Sequence, residues 1–431
     1  MSPPVNPSDR PAALPNFELP DVRVPAGFTL AGLALGLACG VAIGASSAGA
    51  SVSAAIAPIG TLWLRGLQMT ILPLVSALLV VGIVRTVAAA EAGAMARRTL
   101  SLFFAVLATG TMMAAFAMPL LLRLFPVPAE AAAALQSGIA AEKPPAVPAL
   151  ADFLQSLVPS NVLTSATEGS ILPVIVFFAL FAVAITRLPA DPRRALSLFF
   201  EGVAGAMMVV IGWVLKLAPI GVFALSFTVA AQAGTAALGA LAHYIALVAG
   251  IGGVVLLGGF VLAATAARQP LVRFARAMLP AQAVAISTQS SLASVPAMLA
   301  TCRALGLRDT SGEFVLPLAV ALFRATGPAM NLAVAIYVAH LTGVELTAPT
   351  LATGVLVALL TTLGAPSLPG AISFVSSIGP IALAMGVPLA PLALLVAVEV
   401  LPDIMRTVGN VTLDVAVAAT VDRRSHPPAD D

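Results

Sequence analysis

The chain is 431 residues long, 60% hydrophobic and only 9% charged, with 21 Lys and Arg against 19 Asp and Glu. Soluble domains carry about 25% charged residues, so this composition excludes a soluble enzyme, a nucleic-acid binder and a disordered chain. The medium is lipid, yet 34 glycines and 34 prolines are more than a bundle of straight helices needs.

In chain order, residues 1–26 are Pro-rich and polar, lack the basic start and apolar core of a leader, and read as a disordered cytoplasmic tail. A helix crossing the hydrocarbon core takes about 20 mostly apolar residues. Such stretches lie at 27–47, 54–87, 99–123, 171–187, 195–228, 236–266, 313–342 and 389–421, which predicts eight transmembrane helices. The Pro- and Ala-rich connection 124–160 reads as a solvated loop. Arginines cluster after the second stretch (Arg85, Arg97, Arg98), the fourth (Arg187, Arg193, Arg194) and the sixth (Arg268, Arg273, Arg276), and again in the tail 422–431 (Arg423, Arg424). Cytoplasmic loops retain Lys and Arg, so both termini are expected in the cytoplasm.

Two further apolar segments break that parity unless each returns to the side it entered. Segment 277–302 has Arg276 before it and Arg303 and Arg308 after it, and its middle, Ser287-Thr288-Gln289-Ser290-Ser291, is too polar for lipid. Segment 349–386 is interrupted by Gly364-Ala365-Pro366-Ser367-Leu368-Pro369-Gly370. Irregular backbone at membrane depth survives only where protein or a wet cavity surrounds it. Two re-entrant helical hairpins of opposite direction describe an inverted repeat with a midplane site; two kinked ordinary spans are the alternative.

The last stretch carries Glu399, Asp403, Arg406, Asn410 and Asp414 at spacings of four, three, four and four, which is one helical stripe. Each ionisable group at the bilayer centre costs about 2.5–3.5 kcal/mol on insertion scales, so the stripe faces protein or water. One reading is a structural network in which Arg406 neutralises Asp403. The other is a socket: the Arg406 fork matches a carboxylate, Asp403 holds an ammonium group, Asn410 donates to a second carboxylate, and Asp414 takes a cation or proton. Arg324, mid-way along the seventh stretch, is expected to pair with Asp414 or Asp403, because buried charges need partners. Cys39 and Cys302 form no framework, and His243, His340 and His426 join no catalytic constellation.

These segments resemble the dicarboxylate/amino acid:cation symporter family, the glutamate-transporter superfamily, over residues 27 to 421. The resemblance is carried by GTLWLRGLQMTILPLVSALLVVGI (60–83), NVLTSATEGSILPVIVFFALFAVAI (161–185), LAPIGVFAL (217–225), STQSSLASVPAML (287–299) and, most specifically, DIMRTVGNVTLD (403–414). It implies an all-α elevator-type transporter that moves acidic amino acids or C4-dicarboxylates across the cell membrane as a homotrimer. Asp403 would bind the substrate amino group and Arg406 its side-chain carboxylate, with Thr407 and Asn410 lining the site. Ser290 and Ser291 would contribute from the first hairpin tip, and Leu368, Pro369 and Gly370 from the second, the extracellular gate. The scaffold would be 27–98 and 124–228. The mobile transport domain would be 99–123 and 229–421, containing the first hairpin (270–307) and the second (349–386).

One departure matters. Where the family carries Asn-Met-Asp-Gly-Thr for sodium, this chain has Phe323-Arg324-Ala325-Thr326-Gly327. Hard cations want oxygen donors and a guanidinium repels them, so Arg324 is expected to stand in for a bound cation. The coupling ion is then a proton, through Glu399 or Asp414, rather than sodium; no cofactor is expected. An uncoupled channel or a non-transporting substrate sensor on the same fold is the alternative.

Overall fold

A computed structural model describes residues 26–44, 46, 49–91, 93–127, 155, 158–168, 171–233, 236–364 and 377–425. Among these, every regular element is a helix. The first seven are α1 (Ala26–Gly44), α2 (Gly49–Glu91), α3 (Ala94–Leu124), α4 (Val162–Thr167), α5 (Ile171–Thr186), α6 (Ala190–Lys216) and α7 (Ala218–Ala233). Then come α8 (Ala236–Thr265), α9 (Leu271–Thr288), α10 (Val295–Ala304), α11 (Asp309–Leu322) and α12 (Gly327–Thr342). The last four are α13 (Ala348–Gly364), α14 (Gly379–Ala384), α15 (Ala390–Leu395) and α16 (Val400–Ser425).

Glycine spacing decides how α1 sits. Gly32, Gly36, Gly40 and Gly44 recur every four residues and so share one face. A Cβ on any of them would stand within 3.0 Å of the backbone of α7, at Pro219, Phe223, Phe227 and Ala231 respectively. Lipid tails give two apolar helices no hydrophobic reason to associate, so close backbone contact between small residues does that work. Part of the glycine excess is therefore a packing seam.

Helix α2 packs against α5, α6 and α7, and α1 joins them along α7. A second group surrounds α16: α8, α9, α10 and α11 pack on it, and α12 lies between α3, α8 and α13. Helix α2 also packs on α3 and α13. Helix α12 is buried over almost its whole surface, as a helix apolar all round should be. By contrast Leu62, Met69, Phe116, Leu120, Trp213, Leu257 and Val261 are exposed, which suits lipid-facing surfaces. Counting 309–342 as one segment, seven described helices are long and apolar enough to cross a membrane; α5, α7 and α13 are shorter apolar helices.

Three expected continuous spans are interrupted, each just ahead of a proline. The fifth stretch breaks at Leu217 before Pro219, the seventh at Phe323–Thr326 before Pro328, and the eighth at Val396–Glu399 before Pro402. A proline ring clashes with the carbonyl four residues earlier in an α-helix and removes a donor, which places the clashes at Leu215, Arg324 and Val398. Proline alone does not decide, since Pro58, Pro73, Pro119, Pro280 and Pro317 all lie inside helices.

Within the first expected hairpin, α9 and α10 pack on each other and on α16. Gln289, in the left-handed region at φ 50°, ends α9 and starts the turn. The second expected hairpin is seen in part, as α13 and α14 packed together. Its tip, with Leu368, Pro369 and Gly370, lies outside the described residues.

Candidate functional site

The interruption in the seventh stretch and the start of α16 meet in the interior. Arg324 has a left-handed backbone at φ 28° and sits where the Pro328 clash falls. A broken helix leaves backbone donors without partners, and here α16 supplies one. The Thr326 N–H donates to Asn410 Oδ1 at 2.9 Å, and the Thr326 hydroxyl lies 2.8 Å from the same oxygen and 2.9 Å from the Arg406 carbonyl. Gly409 permits the approach, because a Cβ there would collide with the Thr326 methyl. Asn410 thus uses its carbonyl oxygen to hold the break, leaving Nδ2 as its donor.

Arg406 is 1% exposed and lies among three acceptors. Its Nη1 stands 2.5 Å from Glu399 Oε1 and 2.8 Å from Asp403 Oδ1. Its Nη2 donates to Asn331 Oδ1 over a long 3.4 Å. Its Nε, although buried, has no hydrogen-bond partner. The Glu399 contact is an ion pair only: Oε1 lacks hydrogen-bond geometry, while Oε2 accepts from the Tyr244 hydroxyl at 3.1 Å. Glu399 precedes α16 in the turn that Pro402 enforces, so the stripe of acids and amide belongs to the helix only from Asp403 onward. Thr407 is buried and turns its hydroxyl back to the Asp403 carbonyl at 2.9 Å.

Arg324 is buried, within electrostatic reach of Arg406 and Asp403. Asp403, one of the partners expected for Arg324, makes a hydrogen-bonded ion pair with Arg406, three residues along the same helix. Asp414, the other expected partner, is 1% exposed, joins none of the ion pairs among the described residues, and has an Oδ1 without a hydrogen-bond partner. Phe323 is fully buried and stacks on Phe103 of α3, ring centroids 4.3 Å apart. Ser290 and Ser291 are half-buried at the hairpin tip. Ser290 Oγ accepts from the Ala293 N–H, and its carbonyl accepts from Ser294 Oγ. No hydrogen bond among the described residues links either serine to α16; the arm below them does so through Gln282 Nε2 and Thr412 Oγ1, 3.0 Å apart.

Sequence reading missed Tyr244, Asn331 and the role of Thr326. The signal for Tyr244 was rarity: the chain holds two tyrosines, and Tyr244 and Tyr337 pack edge to face, 5.3 Å apart. His243 packs beside Tyr337. Its Nδ1 contacts the Tyr337 hydroxyl at 3.1 Å and its Nε2 the Phe125 carbonyl at 2.9 Å.

The site thus sets a fork of donors, with one buried nitrogen lacking a hydrogen-bond partner, beside two acids. A family model described as the sodium:dicarboxylate symporter family matches residues 28–424. The chain belongs to that family. The proton/sodium-glutamate symport protein of Bacillus subtilis (strain 168) is 29% identical over 373 residues, 85% of each chain. The proton/glutamate-aspartate symporter of Escherichia coli (strain K12) is 30% identical over 278 residues, 63% of this chain and 62% of its own. A C4-dicarboxylate transport protein of Anaeromyxobacter sp. (strain K) is 29% identical over 381 residues, 85% of this chain and 84% of its own. Membership in a symporter family, with seven described helices able to cross a bilayer, makes the chain a multi-pass membrane transporter rather than an intramembrane enzyme.

Proposed function

We propose that this symporter moves acidic amino acids or C4-dicarboxylates and is driven by protons rather than by sodium at the seventh-span position. The carrying observation is Arg406: a buried guanidinium whose Nε has no partner and whose Nη2 holds only a 3.4 Å contact. Unmade bonds of a buried donor cost about 1–3 kcal/mol, and a substrate carboxylate laid side-on across Nε and Nη2 would recover them. Asp403 beside it suits an ammonium group, Asn410 Nδ2 suits a second carboxylate, and Thr407, Ser290 and Ser291 border the same region in this reading. Relatives named for glutamate, aspartate and C4-dicarboxylates support the substrate class.

Two observations support the coupling ion. The position where the resemblance puts an oxygen ligand holds an aromatic stack, Phe323 on Phe103. Arg324 lies within electrostatic reach of Arg406 and Asp403 and Arg406 pairs with Glu399 and Asp403; two cations against two acids need no metal ion, which supports Arg324 as the charge a bound cation would supply. A substrate with net negative charge then needs a proton, with Glu399 and Asp414 as carriers. Helices α1, α2, α5, α6 and α7 pack mainly on one another, which supports a scaffold beside a moving transport domain; the trimer and the cell membrane follow from the resemblance, and cytoplasmic termini from the basic loops. The test is a reconstituted uptake panel of aspartate, glutamate, succinate and neutral amino acids. Accumulation of the acidic compounds against their gradient is expected. Equilibration alone would favour the uncoupled channel, and binding without uptake the sensor.

A further inference from the structure

We propose that Glu399 is the proton acceptor of the transport cycle, because a substrate carboxylate on Nε and Nη2 of Arg406 brings a third anion to a guanidinium that already holds two acids on Nη1. This rests on the reading that an acidic substrate binds at Arg406. Two carboxylates already share the Arg406 Nη1, Glu399 at 2.5 Å and Asp403 at 2.8 Å. A substrate carboxylate is a third anion in a site without exposed surface, where an uncompensated charge is strongly disfavoured. One of the three must become neutral.

The geometry selects Glu399. Asp403 lies within α16, hydrogen-bonded to Arg406 and within reach of Arg324. Glu399 lies in the turn ahead of the helix, and its Oε1 makes an ion pair with Arg406 Nη1. Its other oxygen faces the Tyr244 hydroxyl at 3.1 Å. A hydroxyl both donates and accepts, so Tyr244 serves the carboxylate as a donor and the carboxylic acid as an acceptor. The titratable and charged groups facing Glu399 are thus Arg406 and Asp403 from α16 and Tyr244 from α8.

Behind Tyr244 lie Tyr337 and then half-buried His243, whose Nε2 meets the Phe125 carbonyl at the end of α3. The Tyr337 hydroxyl donates to the Ala240 carbonyl at 3.2 Å. On binding, the substrate carboxylate takes Nε and Nη2 of Arg406, Glu399 gains a proton from water by way of Tyr244, and no covalent bond to carbon changes.

The experiment is calorimetric titration of the full chain in lipid nanodiscs, sodium-free, with aspartate and succinate, in buffers of different ionisation enthalpy at one pH. The buffer dependence of the heat counts protons taken up per substrate bound. The wild type should take up a proton with each aspartate. Glu399→Gln should bind aspartate within about tenfold of wild type and take up none, and Glu399→Asp should restore uptake. A Glu399→Gln protein that binds and still takes up a proton overturns the proposal. Tyr244→Phe, which leaves the carboxyl in place, should slow proton uptake after rapid mixing with aspartate by about tenfold or more; an unchanged rate also overturns it. A wild type that binds no acidic compound refutes the underlying substrate reading instead.

Discussion

Arg406→Lys keeps a positive charge inside the last span and removes the planar fork, which separates neutralising the acids from holding a substrate. In the wild type Nη1 carries both Glu399 and Asp403, Nη2 reaches Asn331 and Nε is unoccupied. A lysine ammonium can sit between the two acids but presents no second, fixed pair of donors. If the substrate carboxylate uses Nε and Nη2, the variant loses at least one charge-assisted hydrogen bond, about 1.5–3 kcal/mol. At about 1.4 kcal/mol per factor of ten, affinity for aspartate falls about 10- to 100-fold. Arg406→Ala removes the cation as well, leaving buried acids unpaired at a cost of about 3–5 kcal/mol in stability. The assay pairs aspartate titration with thermal unfolding of the three proteins in nanodiscs. A lysine variant that binds within about twofold of wild type would make the network purely structural and refute Arg406 as the substrate anchor.

Three other substitutions probe the surroundings. Arg324→Ala leaves Arg406 facing two acids; aspartate affinity should fall about tenfold or more and be partly restored by sodium, and unchanged affinity without sodium counts against a surrogate cation. Asn410→Ala strips the acceptor from the Thr326 N–H, at about 1–3 kcal/mol for a buried donor left unmade, while the hydroxyl keeps the Arg406 carbonyl; an unfolding midpoint equal to wild type contradicts this. Gly40→Val drives a side chain into the Phe227 carbonyl, 2.5 Å from a Cβ there; overpacking costs about 1–3 kcal/mol, and a thermally silent variant would show that the α1–α7 seam adapts.

The membrane class, the first hairpin and the inward-facing acids were legible because each has a local signature: long apolar runs, basic flanks around a serine-rich tip, and a spacing near the helical period. The interruption at Arg324 was legible in principle from Gly327-Pro328, but Pro58 and Pro73 sit inside α2 without breaking it, so the residues alone do not say which proline acts. Glu399 kept its place beside Arg406 though it left the helix, because the turn advances the chain little. The Tyr244–Glu399 contact spans 155 residues and joins an apolar helix to an acid, and no local pattern announces it. Likewise the four-residue glycine spacing of α1 advertises close packing without naming α7 as the partner.

The central claim is that a fixed guanidinium has replaced a bound sodium ion, leaving protons to drive uptake. Labelled-aspartate uptake into sealed proteoliposomes tests it most directly, with the proton gradient and the sodium gradient varied independently. Accumulation that follows the inward proton gradient and persists without sodium is the predicted result. Accumulation that rises steeply with sodium at fixed pH would contradict it.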